Sequence, residues 1–354
     1  MKKKILVTGG SGYKVVKLIK ILIENGYSVI NIDKNIFGNY FIHSKNVTNY
    51  KLDILDIGKI NLKNVYACIH LASIANDPMV DLDPSLSWET SALGSQVLME
   101  QLIKYKVKKI IYASSGSVYG IKKEKRVTEN LPLKPISTYN KVKMTTERII
   151  LSYKNKINII ILRPATVCGF SPRMRLDLTV NMLTFQALKN KKITVFGGKQ
   201  KRPNVHIDDI INAYLFFLRK KNIKFGIFNI GFENLSILQI AKQISRKIKT
   251  KIIIKKNYND TRSYNLDSSK LLKTGYEPKK NINDAISELK ILYNKKILLD
   301  KPNFHSIQWL KAKLISKYIK LENINYYLFL KVKLYNFQLI LLIYFYFFQL
   351  YQIT

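Results

Sequence analysis

The chain contains little of what metal centres and disulfide frameworks require. Among its 354 residues there are two cysteines and four histidines. Cys68 and Cys168 lie far apart, and neither they nor the histidines show the short spacing typical of zinc ligands. No disulfide framework and no metal site are indicated, and so few cysteines favour a reducing compartment.

Acidic residues are also scarce, since 60 Lys and Arg face 23 Asp and Glu, for a net charge of +37. Such a charge can attract nucleic acid, an anionic membrane or phosphorylated ligands. Here the lysines are scattered, and Ile, Asn, Tyr and Phe are abundant with them, as the codon use of an AT-rich gene would produce. No nucleic-acid-binding module accompanies the charge, so we expect no nucleic-acid partner.

Long apolar runs are missing from the amino-terminal part. The first one, residues 5–7, stops at Thr8 and is too short for a signal peptide, so we expect a cytoplasmic protein.

Residues 334–354 carry no charge and as a helix would span roughly 31 Å, about one hydrocarbon core. This tail is a spurious extension, a membrane anchor, or a partner-docking or aggregation-prone segment, and only through it would the protein associate with a membrane.

The opening residues follow a strand, helix, strand pattern. The run Lys4–Thr8 ends at glycines, residues 13–25 carry an apolar stripe of helical spacing that Gly26 ends, and residues 28–32 form a second apolar run. This alternation predicts parallel strands joined by helices. It continues with strands at 66–71, 109–113 and 157–162, and with helices at 85–105, 138–154, 176–190, 208–220 and 236–248.

We therefore predict an α/β fold with a doubly wound, Rossmann-type parallel sheet. Residues 1–165 would form the dinucleotide-binding domain with the catalytic residues. Residues 166–312 would form a smaller, partly interleaved substrate domain, and residues 313–354 the hydrophobic tail.

A third glycine is absent from the loop that follows the first strand. Gly9 and Gly12 provide the tight turn and the close backbone approach that a pyrophosphate needs at a helix N-terminus. Val15 stands where the third glycine would allow close helix packing. The loop predicts dinucleotide binding with reduced affinity.

Asp33 follows the second strand about twenty residues after the glycines, where a carboxylate binds the ribose diol of NAD. It would repel the 2′-phosphate of NADP, although Lys34 beside it has the opposite effect. The alternative is an ordinary capping aspartate.

Tyr139 and Lys143 are spaced so that they share one helix face. Lowering a tyrosine pKa from 10 to about 7 requires roughly 4 kcal/mol, which an ammonium and a positively charged nicotinamide could supply together. Ser115, at the end of an upstream strand, could hydrogen-bond the same substrate oxygen. These three residues are the predicted catalytic group.

Together these features resemble the extended short-chain dehydrogenase/reductase family, in its NAD-dependent epimerase/dehydratase branch acting on nucleoside-diphosphate sugars. The resemblance covers about residues 3 to 312. Its motifs, in chain order, are the glycine loop, Asp33, Leu52-Asp53-Ile54, His70-Leu71-Ala72, the serine-rich stretch 112–120, Tyr139 with Lys143, Leu162-Arg163-Pro164, Arg202 before residues 205–209, and Arg262 before residues 266–270.

The resemblance implies NAD as cofactor, a nucleoside-diphosphate sugar as substrate, a homodimer, and a role in cell-surface polysaccharide biosynthesis. The cofactor residues would be Gly9, Ser11, Gly12, Tyr13, Lys14, Asp33, Asp53, Ile54, Leu71, Ala72, Tyr139, Lys143 and Pro164. The substrate residues would be Ser115, Thr166, Asn181, Arg202 and Arg262. Arg173 and Arg175 either extend the diphosphate clamp or belong to a solvated loop.

Departures from the family pattern bear on activity. Besides Val15, Lys14 replaces the usual Ile, Ser91 an Asn, Cys168 an aromatic residue, and Thr166 stands where many members have Asn. Family 4,6-dehydratases follow the catalytic Ser or Thr with Asp-Glu, but Gly116 and Ser117 stand here and cannot perform that proton transfer. We therefore expect an epimerase that oxidises C4 transiently. The alternatives are a 4-dehydrogenase or reductase, and a degenerate protein that binds sugar nucleotides without turnover.

Overall fold

The structure, a computed structural model, describes residues 2–255 and 265–322, with side chains as far as residue 316. Arg262 and the charge-free tail segment 334–354 lie outside the described residues. In the described part of the chain no helix is both long and apolar enough to cross a bilayer.

The strands are β1 (Lys4–Thr8), β2 (Ser28–Asp33), β3 (Val47–Lys51), β4 (Val65–His70), β5 (Lys109–Ala113), β6 (Asn158–Pro164), β7 (Thr166–Cys168), β8 (Lys192–Phe196), β9 (Lys201–His206), β10 (Phe225–Ile230), β11 (Glu233–Ser236) and β12 (Lys251–Lys255).

The α-helices are α1 (Tyr13–Glu24), α2 (Asp77–Val80), α3 (Pro84–Ser87), α4 (Gly94–Lys104), α5 (Thr138–Leu151), α6 (Thr179–Asn190), α7 (Ile207–Arg219), α8 (Ile237–Ile248), α9 (Ser269–Leu272), α10 (Ile282–Asn294) and α11 (Ser306–Glu322). Short 3₁₀ turns span Ile54–Lys59, Gly116–Tyr119 and Pro302–Phe304, and a π-helical turn spans Trp88–Leu93.

A seven-stranded sheet forms the centre of the fold, in the order β10-β6-β5-β4-β1-β2-β3. All its neighbouring strands run parallel. The chain moves from β1 to β2 on one side and returns to β4 on the other, so the strand order reverses beside β1. This confirms the predicted doubly wound Rossmann-type sheet, and ligands bind such sheets at the carboxyl ends of the strands near that reversal.

Both faces of the sheet are buried, as the continuous apolar runs require. In β1, Ile5 and Val7 join an apolar cluster that includes α1 and α7, whereas Leu6 joins a second cluster that includes α4. Alternate residues of one strand thus pack into the two layers of helices.

The carboxy-terminal half contributes two small sheets, ordered β11-β9-β7 and β12-β8, and an apolar cluster among α6, α8 and α10. It also returns β10 to the edge of the central sheet. The described residues up to Trp309 form one compact unit. The division into two domains at residue 165 stays a prediction.

Two helices differ from the sequence expectation. The helix predicted at 85–105 is interrupted by the π-helical turn Trp88–Leu93. No glycine or proline stands where this turn begins, so the sequence did not predict it. The helix predicted from residue 176 begins at Thr179, because Leu178 is in an extended conformation.

Candidate active site

A cleft of about 360 Å³ opens at the carboxyl ends of the central strands. It is lined by most of the residues predicted from sequence to bind cofactor or substrate. These are Gly9, Ser11, Gly12, Tyr13, Lys14, Asp33, Asp53, Ile54, Leu71, Ala72, Ser115, Tyr139, Lys143, Pro164 and Thr166. The fold therefore gathers segments far apart in sequence into one site.

The glycine loop has no room for side chains at its two predicted glycines. Gly9 has a φ of +79°, and a Cβ there would lie 2.9 Å from the backbone nitrogen of Ala72. A Cβ on Gly12 would lie 2.9 Å from the carbonyl oxygen of Gly9. Gly12 is the N-cap of α1, whose first turn carries no acidic residue, so the helix presents N–H groups suited to a pyrophosphate.

Val15 is buried at the third-glycine position of this loop. Its backbone N–H donates to the Gly12 carbonyl at 3.0 Å, and its side chain is 3 % exposed. The valine packs into the apolar cluster around α1 and also lines the cleft. The third-glycine position thus borders the ligand site and carries a branched side chain.

Asp33, the last residue of β2, is fastened to the glycine loop. Its carboxylate accepts hydrogen bonds from the backbone N–H groups of Ser11, at 3.0 Å, and Asn35, at 2.5 Å. Burial raises the pKa of Asp33, whereas these two N–H donors act in the opposite direction. The carboxylate is held where the family motif requires an acceptor for the ribose diol.

Lys34 is paired with Asp53 at the end of the cleft that Asp33 lines. Its Nζ lies 2.6 Å from Asp53 Oδ2, and the other carboxylate oxygen accepts from the Leu55 N–H. Burial acts to raise the pKa of Asp53, but the hydrogen bond from Lys34 and the backbone donors outweigh it and lower the pKa. Lys34 is therefore engaged by a carboxylate at the edge of the site.

The catalytic candidates come from two neighbouring elements. Ser115 follows β5 and caps the turn Gly116–Tyr119, with its Oγ 2.8 Å from Ser117 Oγ. Tyr139 lies in the first turn of α5, which the Ser137 side chain caps. Lys143, one turn later and 4 % exposed, donates from Nζ to the Ala113 carbonyl at 3.0 Å. The helix thus carries the tyrosine and the lysine to the end of β5.

Burial dominates the electrostatics of this group. It raises the pKa of Tyr139, which a hydrogen bond with Ser115 and the charge of Arg175 oppose. Burial and the nearby Lys14 ammonium lower the pKa of Lys143 to about 7. The protein alone does not favour the phenolate, so deprotonating Tyr139 requires additional positive charge, as a bound nicotinamide would supply.

A buried ion pair that was not predicted from the sequence supports the candidate catalytic residues. Arg163 Nη2 lies 2.6 Å from Glu147 Oε2, and Arg163 Nε donates to Glu147 Oε1 at 2.9 Å. Ser114 also donates to this carboxylate. Glu147 is four residues after Lys143 on α5, and this helical spacing was the available signal. The pair ties α5 to β5 and β6 and so positions Ser115 and Lys143.

Two of the predicted substrate residues are not in the cleft lining, and a third is outside the described residues. The amide of Asn181 is completely buried; it accepts from the Gly169 N–H and donates to the Tyr13 hydroxyl and the Arg175 carbonyl. These internal bonds occupy its side chain, and its assignment to the substrate diphosphate stays a prediction. Arg202 lies outside the lining of the cleft, and Arg262 is among the residues left undescribed.

Arg173 and Arg175 are not in a solvated loop. They are 3 % and 9 % exposed, and both line the cleft. Arg175 forms an ion pair with Asp177, whereas Arg173 stacks over the Phe37 ring with its guanidinium carbon 4.7 Å from the ring centroid. The cleft lining thus holds more cationic than acidic side chains, with Lys14, Lys34, Lys143 and the two arginines against Asp33, Asp53 and Asp77.

The parallel sheet, the glycine loop at a helix N-terminus and Asp33 define a dinucleotide-binding α/β protein. The model of the NAD dependent epimerase/dehydratase family matches residues 5–231. The chain belongs to this family, and NAD is its cofactor.

Individual relatives span most of the chain. A putative UDP-glucose 4-epimerase of Methanocaldococcus jannaschii is 30% identical and covers 80% of this chain and 96% of the relative. The dTDP-D-glucose 4,6-dehydratase of Bos taurus is 30% identical, covering 70% of this chain and 73% of the relative. The structure of UDP-glucuronic acid 4-epimerase from Bacillus cereus, in complex with UDP-glucuronic acid and NAD, is similar with a TM-score of 0.71 at 29% identity, covering 83% of this chain and 100% of that chain.

Proposed function

We propose that the protein is an NAD-dependent epimerase that inverts C4 of a nucleoside-diphosphate sugar. One observation carries the proposal: Ser115, Tyr139 and Lys143 line the same cleft as the glycine loop. The substrate would enter beside Thr166 and Ser117, which line that cleft too.

Tyr139 is the general base in this proposal. It takes the proton from the C4 hydroxyl and returns it after the sugar has turned, while Ser115 hydrogen-bonds the same oxygen. Lys143, in its protonated form, places positive charge near the phenolate and positions the nicotinamide ribose. NAD, when bound, supplies the acceptor and donor of the hydride. The buried surroundings limit water access to the keto sugar, which favours its re-reduction over release.

The residues after Ser115 bear on the choice between epimerisation and the dehydration named for some relatives. Expelling water from C5 and C6 needs an acid and a base near these carbons. Gly116 and Ser117 occupy the positions of the family's acidic pair, and the Ser117 hydroxyl is hydrogen-bonded to Ser115. This pairing supports epimerisation over dehydration.

The relatives suggest the first substrates to try. UDP-glucose and UDP-glucuronic acid occur in the names of the compared epimerases, so both are suitable probes. A panel of sugar nucleotides that includes these two would be incubated with the protein and NAD, and the products would be separated by chromatography. At least one member of the panel should be converted into its 4-epimer. A net oxidised sugar with stoichiometric reduced cofactor would support the dehydrogenase alternative. Binding of NAD and sugar nucleotide without any product would support a non-catalytic protein.

A further inference from the structure

Arg173 is a buried cation with an unused hydrogen-bond donor in the cofactor cleft. Its Nη2 donates to Ser306 Oγ at 3.0 Å, and its guanidinium stacks on Phe37. Its Nε is buried and has no hydrogen-bond partner within residues 2–255 and 265–316. A buried guanidinium donor left without an acceptor is costly, because water no longer solvates it. The side chain therefore calls for an acceptor supplied by a ligand.

The neighbours of Arg173 place it along the path of the dinucleotide. Arg173 interacts electrostatically with Asp33, at the adenosine end, and with Arg175. Arg175 in turn interacts with Lys14 of α1 and with Tyr139, at the nicotinamide end. Between its two riboses NAD carries a pyrophosphate, so the arginine pair spans the part of the cleft where the negative charge of the cofactor must lie.

The charge balance of the cleft favours an anionic ligand at this position. Arg175 is neutralised by Asp177, to which it donates from Nε and Nη2. Arg173 forms no such ion pair within the described part of the chain. Burial together with the Arg175 charge lowers its pKa to about 10, although the nearby carboxylates of Asp177 and Asp33 act in the opposite direction. A phosphate oxygen would satisfy the unused donor and offset the mutual repulsion of the cations.

We propose that Arg173, with Arg175 fixed beside it by Asp177, binds the pyrophosphate of NAD and adds to the glycine loop a contact from residues 171–177. This assignment is an alternative to the expectation that these arginines extend the clamp on the substrate diphosphate. The contact compensates for Val15, because a charge-assisted hydrogen bond can offset the affinity that a branched side chain beside the loop costs. The inference rests on NAD as the cofactor and is independent of the proposed epimerisation.

Binding measurements with three variants test the inference without requiring turnover. Titration calorimetry would measure NAD, ADP-ribose and UDP on the wild type, Arg173→Met, Arg173→Lys and Arg148→Met. Arg173→Met should weaken NAD and ADP-ribose by at least ~10-fold and leave UDP unchanged. It should also reduce the dependence of NAD affinity on salt, which a purely structural role would not alter. Arg148→Met removes an exposed arginine of α5 that lies outside the cleft lining, so it should bind NAD as the wild type does.

Other outcomes would overturn the inference. If Arg173→Met leaves the affinities for NAD and UDP both unchanged, the guanidinium has a structural role only. If the variant leaves NAD affinity unchanged but weakens UDP binding, Arg173 belongs to the site of the substrate diphosphate. If Arg173→Met fails to fold, Arg173→Lys decides, because it keeps the charge but has no donor at the Nε position. That variant should still lose several-fold in NAD affinity while binding UDP normally.

Discussion

The hydroxyl oxygens of Ser115 and Ser117 lie 2.8 Å apart at the end of β5. Ser115 is the serine proposed to hydrogen-bond the substrate oxygen. Ser117 replaces an acidic residue of the family's dehydratases. A serine hydroxyl has no accessible charge at neutral pH, so Ser117 cannot serve as the base that removes a proton from the sugar.

This pairing predicts the mass of the product. The nucleotide sugar formed by the wild-type protein should have the same mass as its substrate, because neither Gly116 nor Ser117 can assist loss of water. Mass spectrometry of the reaction mixture checks this. A product lighter by one water molecule would show that another residue supplies the missing acid and base.

Replacing the proposed base should reduce turnover but not binding. Tyr139→Phe removes the proton acceptor and keeps the ring, so turnover should fall by at least ~100-fold while sugar-nucleotide affinity stays nearly constant. Steady-state kinetics and calorimetry measure the two effects. Tyr50→Phe, at a tyrosine that is 38 % exposed, provides the control. Turnover within a few fold of wild type would refute the assignment of Tyr139.

Lys14 should make NAD binding depend on pH. Burial and the charge of Arg175 lower its pKa to about 8, so the ammonium that attracts the pyrophosphate is lost as pH rises through that value. NAD affinity should decrease several-fold between about pH 7 and about pH 9. Lys14→Met should flatten this profile, whereas Lys20→Met, at an exposed position of the same helix, should not.

The contribution of Lys14 to the stability of the unliganded protein should change in the opposite direction. The pKa of Lys14 is lower in the folded than in the unfolded chain, so between about pH 8 and its unfolded pKa of 10.5 this residue binds more protons in the unfolded chain. Its contribution to stability therefore rises with pH over this window. Loss of the Lys14 charge would thus weaken NAD binding without destabilising the fold. An identical decline in the wild type and in Lys14→Met would assign it to another group.

Val15 should limit cofactor affinity. Val15→Gly restores the third glycine beside the cleft and should tighten NAD binding at least several-fold, since a crowded side chain typically costs about 1–3 kcal/mol. The variant should also be less stable by roughly 1–3 kcal/mol, because it loses a buried side chain in a helix. Val16→Gly, which is similarly buried but outside the cleft lining, should lose stability without gaining affinity. Unchanged or weaker NAD binding in Val15→Gly would mean that the helix already accommodates the valine.

Five of the seven central strands were predictable from sequence because they are apolar on both faces, whereas the edge strands β3, which is half-exposed, and β10 were not predicted. Runs such as Lys109–Ala113 have no other stable location than a covered parallel sheet. The later strands lack this signal. β9 contains Pro203 and charged residues, and it is a strand because β7 and β11 pair with it from other parts of the chain.

The site was predictable where motifs adjoin strand ends, and not where long-range packing decides. The family resemblance assigns Asn181 to the substrate. Its hydrogen bond to Tyr13, however, depends on how α6 packs beside α1. Arg173 is buried because Phe37 and Ser306, from distant segments, enclose it. No local spacing encodes either contact.

The most direct test of the account follows the hydrogen on C4. A sugar nucleotide that the protein converts, labelled with deuterium at C4, would be incubated with the protein and NAD and analysed by NMR and mass spectrometry. The account predicts a 4-epimer that retains deuterium at C4, with no net accumulation of reduced cofactor. Deuterium accumulating in the reduced nicotinamide together with a 4-keto sugar would contradict it.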